Sequence, residues 1–525
     1  MRYQQGMVTI LAIFTLLTGL GSYAKEPIAG GDLVFATAFP VQTLDPHLAL
    51  DNSSIQVSKA IYQTLVKYST EDETIQPCLA SSWQANKQGK EWTFHLREGI
   101  RFHDGAPFNA DAVIFSFERQ LNPNHPYYEE KCFYGRYLFG RIIDKLQAVD
   151  EYTVKFTLKS TYVPFLYSLV SPAAMIVSPK AVKEYGKNFY QHPAGTGPFK
   201  LLDWGGDGEV VLERYEDYWG EKAHLNSLVF RPIPQEDFMI QALRKRKIQG
   251  AEFESSAGIK LAAESANQLK LVEIPHLEVV YLALNMRKTP LNRLKIREAL
   301  YRAIDKEKLQ RMFYPEKAVI ARSLIPPTLW GYNPDLSEYE LNPKRSRQLL
   351  KEAKVEGLTI NLWIPEIPTS HLPDPEGMAG QIKEDLAKVG INVQIVKMDW
   401  RSYLKGCEKG EHHMTLSGWK ADFPDPYDFL YPLLDPQVLR ESDNTNWSFY
   451  QSSFLHEILQ RARQVSDRIE RKRLYQVAQK IIKQDIPCIP LVHTRQTLAF
   501  SPEVEGISID YAGAVEFNKM WISKK

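Results

Sequence analysis

Cysteine is scarce in this chain: four in 525 residues, at positions 78, 132, 407 and 488. No Cys-x-x-Cys pair occurs and the spacing fits no zinc-ligand pattern, which excludes the common thiol-redox and zinc-ribbon modules. Three disulfide pairings stay open, with free buried thiols as the alternative. Net charge is nearly absent as well. Lys and Arg number 64 and Asp and Glu 63, whereas nucleic-acid binders carry a basic excess or stripe, so no nucleic-acid partner is expected. Beyond the N-terminus no segment approaches the ~18 unbroken apolar residues of a membrane-spanning helix. Catalytic signatures are missing too. There is no Gly-x-Ser-x-Gly, His-Glu-x-x-His or Gly-x-x-x-x-Gly-Lys-Ser/Thr, and His456-Glu457 lacks a second histidine three residues on. Asp422, Asp425 and Asp428 have no EF-hand spacing and are interrupted by Pro424 and Pro426. His95 and His103 alternate with apolar strand residues rather than recurring at helical ligand spacing. We therefore expect no enzyme, no cofactor and no metal site.

What is present begins with an export signal. Arg2 precedes an apolar run from Met7 to Leu20, followed by Gly21-Ser22-Tyr23-Ala24 and the polar Lys25-Glu26-Pro27. The run is too short to span comfortably, and Ser22 and Ala24 suit signal-peptidase cleavage after Ala24. No cysteine lies near that site, so the mature protein is expected to be a periplasmic protein and not a lipoprotein. Removing residues 1–24 removes Arg2 as the one charged residue and leaves a formal charge of zero.

At 525 residues the chain is too long for one core, and two or three domains follow. Leu33 to Ala36 reads as an early buried strand, and Asp51 to Ser54 can cap a helix carrying Ile55, Ala60, Ile61 and Leu65. Trp92, Phe94 and Leu96 alternate with polar residues, the mark of a half-buried strand. Asn109 precedes a helix with Val113, Phe117 and Leu121 on one face. Asn292 to Asp305 reads as an amphipathic helix burying Leu294, Ala299, Leu300 and Ile304. Leu358 to Ile364 and Ile391 to Val396 read as strands flanking a helix over Met378–Lys388, an order that implies a parallel sheet. The charge-rich segment Phe454–Lys483 reads as two helices whose Arg and Lys residues form a solvated face.

The stretch Gly418-Trp419-Lys420-Ala421-Asp422-Phe423-Pro424-Asp425-Pro426 is the candidate centre of function. It leaves a short strand at His413 to Ser417, and the prolines keep Phe423 and Asp425 out of helical geometry. A carboxylate on a stiff, aromatic-rich loop suits a ligand ammonium group, the rings supplying contact area and the acid a charge-assisted hydrogen bond. The competing reading is that Asp422 caps the helix starting near Tyr427.

Several of these segments together resemble one family. The run from Trp83 through Trp92-Thr93-Phe94-His95-Leu96-Arg97-Glu98-Gly99-Ile100 to Phe108-Asn109-Ala110-Asp111 and the helix entry at Ala112-Val113 is the first. Gly195-Thr196-Gly197-Pro198-Phe199, Tyr215-Glu216-Asp217-Tyr218-Trp219-Gly220, Pro290-Leu291 through Ile304-Asp305, and Gly418-Trp419 through Asp425-Pro426 are the others. In combination they resemble the bacterial extracellular solute-binding proteins of family 5, the peptide- and nickel-binding components of ABC importers. The resemblance implies an α/β, two-lobe periplasmic-binding-protein fold of type II with the ligand cleft between the lobes. It also implies hinge closure on the ligand, an inner-membrane permease as partner, and a monomer. Lobe one would be residues 25–284 plus 496–525, with an extra subdomain at about 60–195, and lobe two residues 285–495. The crossings would be Val279–Leu284 and Pro487–Leu498. On this division the disulfides would be Cys78–Cys132 and Cys407–Cys488.

In the peptide-binding members the aspartate of the Gly-Trp-x-x-Asp segment receives the ligand's α-ammonium, and here Asp422 matches. Trp419 matches the neighbouring aromatic and Trp400 resembles a second pocket tryptophan, with a core position as its alternative. Main chain at Ser417 and Gly418 and at Asn52 and Ser53 would hold the ligand backbone, the last two being a plain helix cap otherwise. The carboxylate end departs from the family. Thr369 stands where dipeptide binders place an arginine, and Cys407 and Leu416 stand where oligopeptide binders place basic residues. His371, Arg322, Arg401 and Lys420 are the substitutes on offer. The expected ligand is a peptide or peptide-like amine; the alternative is a nickel chelate or other metallophore held by His371, His412 or His413.

Overall fold

The computed structural model describes residues 26–69, 72, 74–253, 256–275, 277–314, 318–369, 371–441, 444–510 and 513–523. The segment expected to be a signal peptide, residues 1–24, lies outside the described residues. The chain builds two lobes, each around its own sheet. The first sheet has seven strands in the order Lys270–Pro275, Arg495–Phe500, Gly250–Phe253, Asp32–Thr37, Ser227–Pro232, Val210–Arg214 and Phe199–Trp204. Its interior is aromatic: Phe35, Phe230 and Phe517 meet edge to face at 5.3–6.1 Å, the offset geometry that ring quadrupoles prefer. The second sheet has six strands in the order Val319–Ile320, Cys488–His493, Glu278–Leu284, Met414–Lys420, Thr359–Pro365 and Asn392–Met398. The last two run parallel around the helix Pro375–Ala387, as the β–α–β order requires.

A four-stranded antiparallel sheet, Ala80–Ala85, Glu91–Leu96, Thr153–Leu158 and Ile143–Asp150, forms the extra subdomain. Trp92, Phe94 and Leu96 face its core as the alternation demands, and Phe117, from a helix capped by Asn109, meets Phe156 at 5.2 Å. This core continues into the second lobe. Tyr162 meets Tyr427 at 5.5 Å, Tyr167 stacks on Trp330, and the Val163 N–H donates to the Arg463 carbonyl at 2.7 Å. The lobes therefore touch along one wall of the cleft.

Four expectations are corrected. The strand Glu278–Leu284 pairs with Met414–Lys420 on one side and Cys488–His493 on the other. All seven of its residues are buried, so it is a central strand of the second sheet and the first crossing lies between Pro275 and Glu278. The return crossing is Thr494 alone, between Cys488–His493 and Arg495–Phe500. Thr494 Oγ1 donates to Glu278 Oε1 at 3.0 Å and ties the two crossings together. Leu294 is 46% exposed because it opens the helix Leu294–Ala303, ahead of the turn where Ile296, Ala299 and Leu300 go inward. The basic helices are not wholly solvated, since Arg471 and Lys483 are buried and paired with Asp425 and Glu338. All four cysteines are free thiols; burial pushes Cys78 up to about 11 and Cys132, Cys407 and Cys488 up to about 12.

Candidate functional site

The strand Met414–Lys420 carries the candidate loop to the cleft. Its register sets Gly418 beside Val280, Trp419 beside Val279 and Lys420 beside Glu278, so the strand's end lies next to the first crossing. Ala421 adds one further bond, its N–H donating to the Leu277 carbonyl at 2.8 Å. The loop is then folded by its own acids. Asp428 Oδ2 accepts from the Asp422 N–H at 2.6 Å, and the Trp419 indole N–H donates to the Asp428 carbonyl at 2.7 Å. Asp425 Oδ1 accepts from the Tyr427 N–H at 2.9 Å, while Oδ2 meets Arg471 Nη2 at 2.6 Å. The Tyr475 hydroxyl donates to Asp425 Oδ1 at 2.9 Å. The helix Tyr427–Leu434 has Pro426 at its N-cap and no side-chain cap. Asp422 therefore does not cap it.

Freed from that role, Asp422 faces a cavity of about 210 Å³ between the lobes. Lobe one contributes Asn52, Gln56 and Lys59 from the helix Asn52–Ile61, with Glu252 and Ser171; lobe two contributes Lys420. Tyr134 from the extra subdomain completes the wall beside the acid. Lys420 Nζ donates to Asn52 Oδ1 at 3.1 Å, a hydrogen bond from one lobe to the other. Gln56 Nε2 donates to Glu252. Gln56 Oε1 and Ser171 Oγ are buried with no hydrogen-bond partner among the described residues, a costly arrangement that a polar ligand group would relieve. A second cavity, of about 260 Å³, lies beyond Asp428 and is lined by Tyr137, Tyr162, Tyr427 and Tyr431.

The electrostatics follow from burial. Desolvation pushes the Asp422 carboxyl up to about 7, with Lys420 opposing the shift. Asp428 is raised well above the carboxylate range by burial and by Asp422 beside it. Burial and the same two acids raise the Tyr134 and Tyr137 phenols. Burial lowers Lys59, Asp510 and Glu252 oppose this, and Lys420 adds to it.

Of the seven residues singled out from sequence, Asp422 and Asn52 line the cavity. Ser53 is buried in the first turn of a helix whose cap is Asp51, which accepts from the Ser54 N–H at 2.8 Å. Ser417 is buried within the sheet, bonded to Tyr281 across the strand pair. At Gly418 a Cβ would lie 2.4 Å from the His371 ring, so that glycine makes room for His371. Trp419 braces the loop through Asp428 rather than lining the cavity. Trp400 opens the helix Trp400–Lys409 behind the Asp399 cap, stacks on Tyr403 at 5.7 Å and stays 44% exposed, outside the cavity wall. The histidines of the metallophore reading are dispersed. His412 is buried against the Trp447 carbonyl at 2.8 Å, and His371 sits 3.6 Å from Glu278. Among the described residues no group of three His, Cys, Asp or Glu is placed to hold a metal ion.

Sequence reasoning missed Gln56, Lys59, Glu252 and Tyr134. For the first two a signal existed. Positions 52, 56 and 59 share one helix face, opposite the buried Ser54, Val57, Ser58 and Ile61. Nothing local marks Glu252 or Tyr134.

Known proteins bear on this geometry. Residues 74–439 match the family described as bacterial extracellular solute-binding proteins, family 5 Middle. The dipeptide-binding protein of Escherichia coli K12 is 32% identical, the alignment covering 93% of this chain and 94% of that protein. Heme-binding protein A of Haemophilus influenzae is 31% identical, covering 90% of this chain and 89% of that one. Among solved structures, the periplasmic binding protein DppA of Helicobacter pylori in complex with the peptide STSA is 33% identical with a TM-score of 0.78. That match covers 95% of this chain and 99% of that one.

Proposed function

The chain belongs to the bacterial extracellular solute-binding proteins of family 5, and on that premise we propose that it captures a peptide or peptide-like amine between its lobes for an ABC importer. The observation that carries this reading is the Asp422 carboxyl facing an interlobe cavity that also holds Lys59 and Lys420. Family members are binding proteins, and dipeptide- and peptide-binding relatives support the ligand class. A site carrying both signs of charge suits a zwitterion. The same reading makes the protein a non-enzymatic monomer, cleaved after Ala24, exported to the periplasm and docking on an inner-membrane permease. Lobe one is Glu26 to Pro275 with the segment from Arg495 onward, lobe two is Glu278 to His493, and the two close by hinging at the paired crossings. Among the described residues no helix is long and apolar enough to cross a membrane.

The direct test is mass spectrometry of what is released when protein purified from its native compartment is denatured. A peptide or other primary amine is expected; a metal chelate or a tetrapyrrole would sink the reading.

Binding should also be coupled to protons. Asp422 titrates near 7 in the folded, unliganded protein against 3.8 when unperturbed. Its protonated form therefore stabilises that state as pH falls through 7 towards 4. A ligand ammonium needs the ionised form, so below pH 7 it must displace a proton. Affinity is expected to weaken by up to ~10-fold per pH unit between 7 and 5. Calorimetric titration in buffers of different ionisation heat should show proton release at pH 6 and little at pH 8.5. A flat profile would separate the ligand from Asp422.

A further inference from the structure

Lys59 and Lys420 reach one cavity from opposite lobes. Lys59 sits in the last turn of the helix Asn52–Ile61, and Lys420 ends the strand Met414–Lys420. Lys420 disfavours the charged form of the buried Lys59, since two ammonium groups brought together repel. Their counter-charges are unequally placed. Asp510 and Glu252 face Lys59, and Glu252 also accepts from Gln56. Lys420 faces Asp422 and bonds to Asn52. The same cavity is lined by Gln56 and Ser171, whose buried Oε1 and Oγ have no partners among the described residues.

We propose, resting on the peptide reading above, that Lys59 and Lys420 together form the subsite for the ligand's carboxylate, so that the anion joins the lobes and selects short ligands with a free C-terminus. The position differs from Thr369, Cys407 and Leu416, where the family resemblance sought a basic residue, and of the four substitutes read from sequence only Lys420 lines this cavity. Arg322 stands beside Lys306 and Lys483 instead, and His371 pairs with Glu278. An anion between two lysines replaces a repulsion across the cleft by two charge-assisted hydrogen bonds. Gln56 Oε1 can accept from a peptide N–H and Ser171 Oγ can donate to a peptide carbonyl. A cavity of about 210 Å³ is below the ~300–1,000 Å³ typical of drug-sized ligands, which favours two or three residues over a long peptide.

The test uses the mature protein, an equimolar dipeptide mixture and the same mixture as C-terminal amides, read by thermal shift and by competition calorimetry. Wild type is expected to bind the free acids at least ~10-fold more tightly than the amides. In Lys59→Met, and separately in Lys420→Met, that preference should shrink to under ~3-fold, the free acids losing more affinity than the amides, with urea melts matching wild type. Lys59→Arg should retain it. Equal binding of acids and amides by wild type, or full preference in both methionine variants, overturns the lysine subsite and leaves the peptide reading intact. No shift with either mixture overturns the peptide reading and the subsite with it.

Discussion

Replacing Asp422 by asparagine is expected to cut ligand affinity by ~30-fold to several thousand-fold, because truncating one member of a desolvated charged pair costs ~2–5 kcal/mol. The unliganded protein should lose nothing. Asp422 neighbours Asp428, whose carboxyl is held well above its ordinary range by burial and by Asp422 itself. Asparagine removes that repulsion while keeping the size of the side chain, so above pH 7 the variant is expected to be at least as stable as wild type. A capping role would have predicted a loss of stability with binding intact, but the helix Tyr427–Leu434 starts behind Pro426 without a side-chain cap. Titration calorimetry with the released ligand, beside urea melts of both unliganded proteins, separates the outcomes. Unchanged affinity in Asp422→Asn would remove this residue from the site. The proton release expected at pH 6 should vanish in the same variant.

Arg471→Met is expected to act in the opposite way, on folding first. The Arg471 side chain is 2% exposed and that of Asp425 fully buried, with 2.6 Å between Nη2 and Oδ2. Nε also donates to the Ala462 carbonyl at 3.0 Å, and the guanidinium lies over Trp330 at 5.2 Å. Removing the arginine strands a buried carboxylate, for which losses of ~3–5 kcal/mol are typical. A urea melt should show that loss. Because Asp425 is three residues from Asp422 and holds the loop from beneath, affinity should fall as well, through disorder of the loop. Arg471→Lys keeps the charge but not the planar fork, so an intermediate loss is expected. A stability change below ~1 kcal/mol in Arg471→Met would show the pair to be replaceable and the loop to be anchored elsewhere.

The two variants also show which features the sequence could carry. Asp425 and Asp428 looked like companions of Asp422 in one acidic run, yet they do different work. Asp425 is bound from outside the loop by Arg471 and Tyr475, and Asp428 is bound from within it by the Asp422 N–H. Nothing at positions 471 and 475 announces that partnership, which spans 46 residues along the chain. The basic helix Arg468–Asp485 reads as solvated because a charge's burial depends on a partner that sequence spacing does not reveal. The family resemblance implies pocket rings at Trp419 and Trp400, yet neither lines the cavity. Their roles were decided by which way the helix cap at Asp399 and the indole bond to Asp428 turn them.

By itself the sequence determined the elements and the family. Alternation at Trp92 to Leu96, the caps at Asn109 and near Asn52, and the β–α–β order around Pro375–Ala387 are local patterns, set by periodicities of 2.0 and 3.6 that need no distant partner. The loop that carries Asp422 to the cavity was legible for the same reason, since it is contiguous. The cavity was not. Its wall gathers Lys59, Ser171, Glu252 and Lys420 from four well-separated segments of the chain, brought together only when the strand Glu278–Leu284 takes the centre of the second sheet and the chain returns at Thr494. Tertiary structure also decided which charges face that space, because a side chain's direction at the cleft follows from strand register and helix phase fixed by packing on the far side.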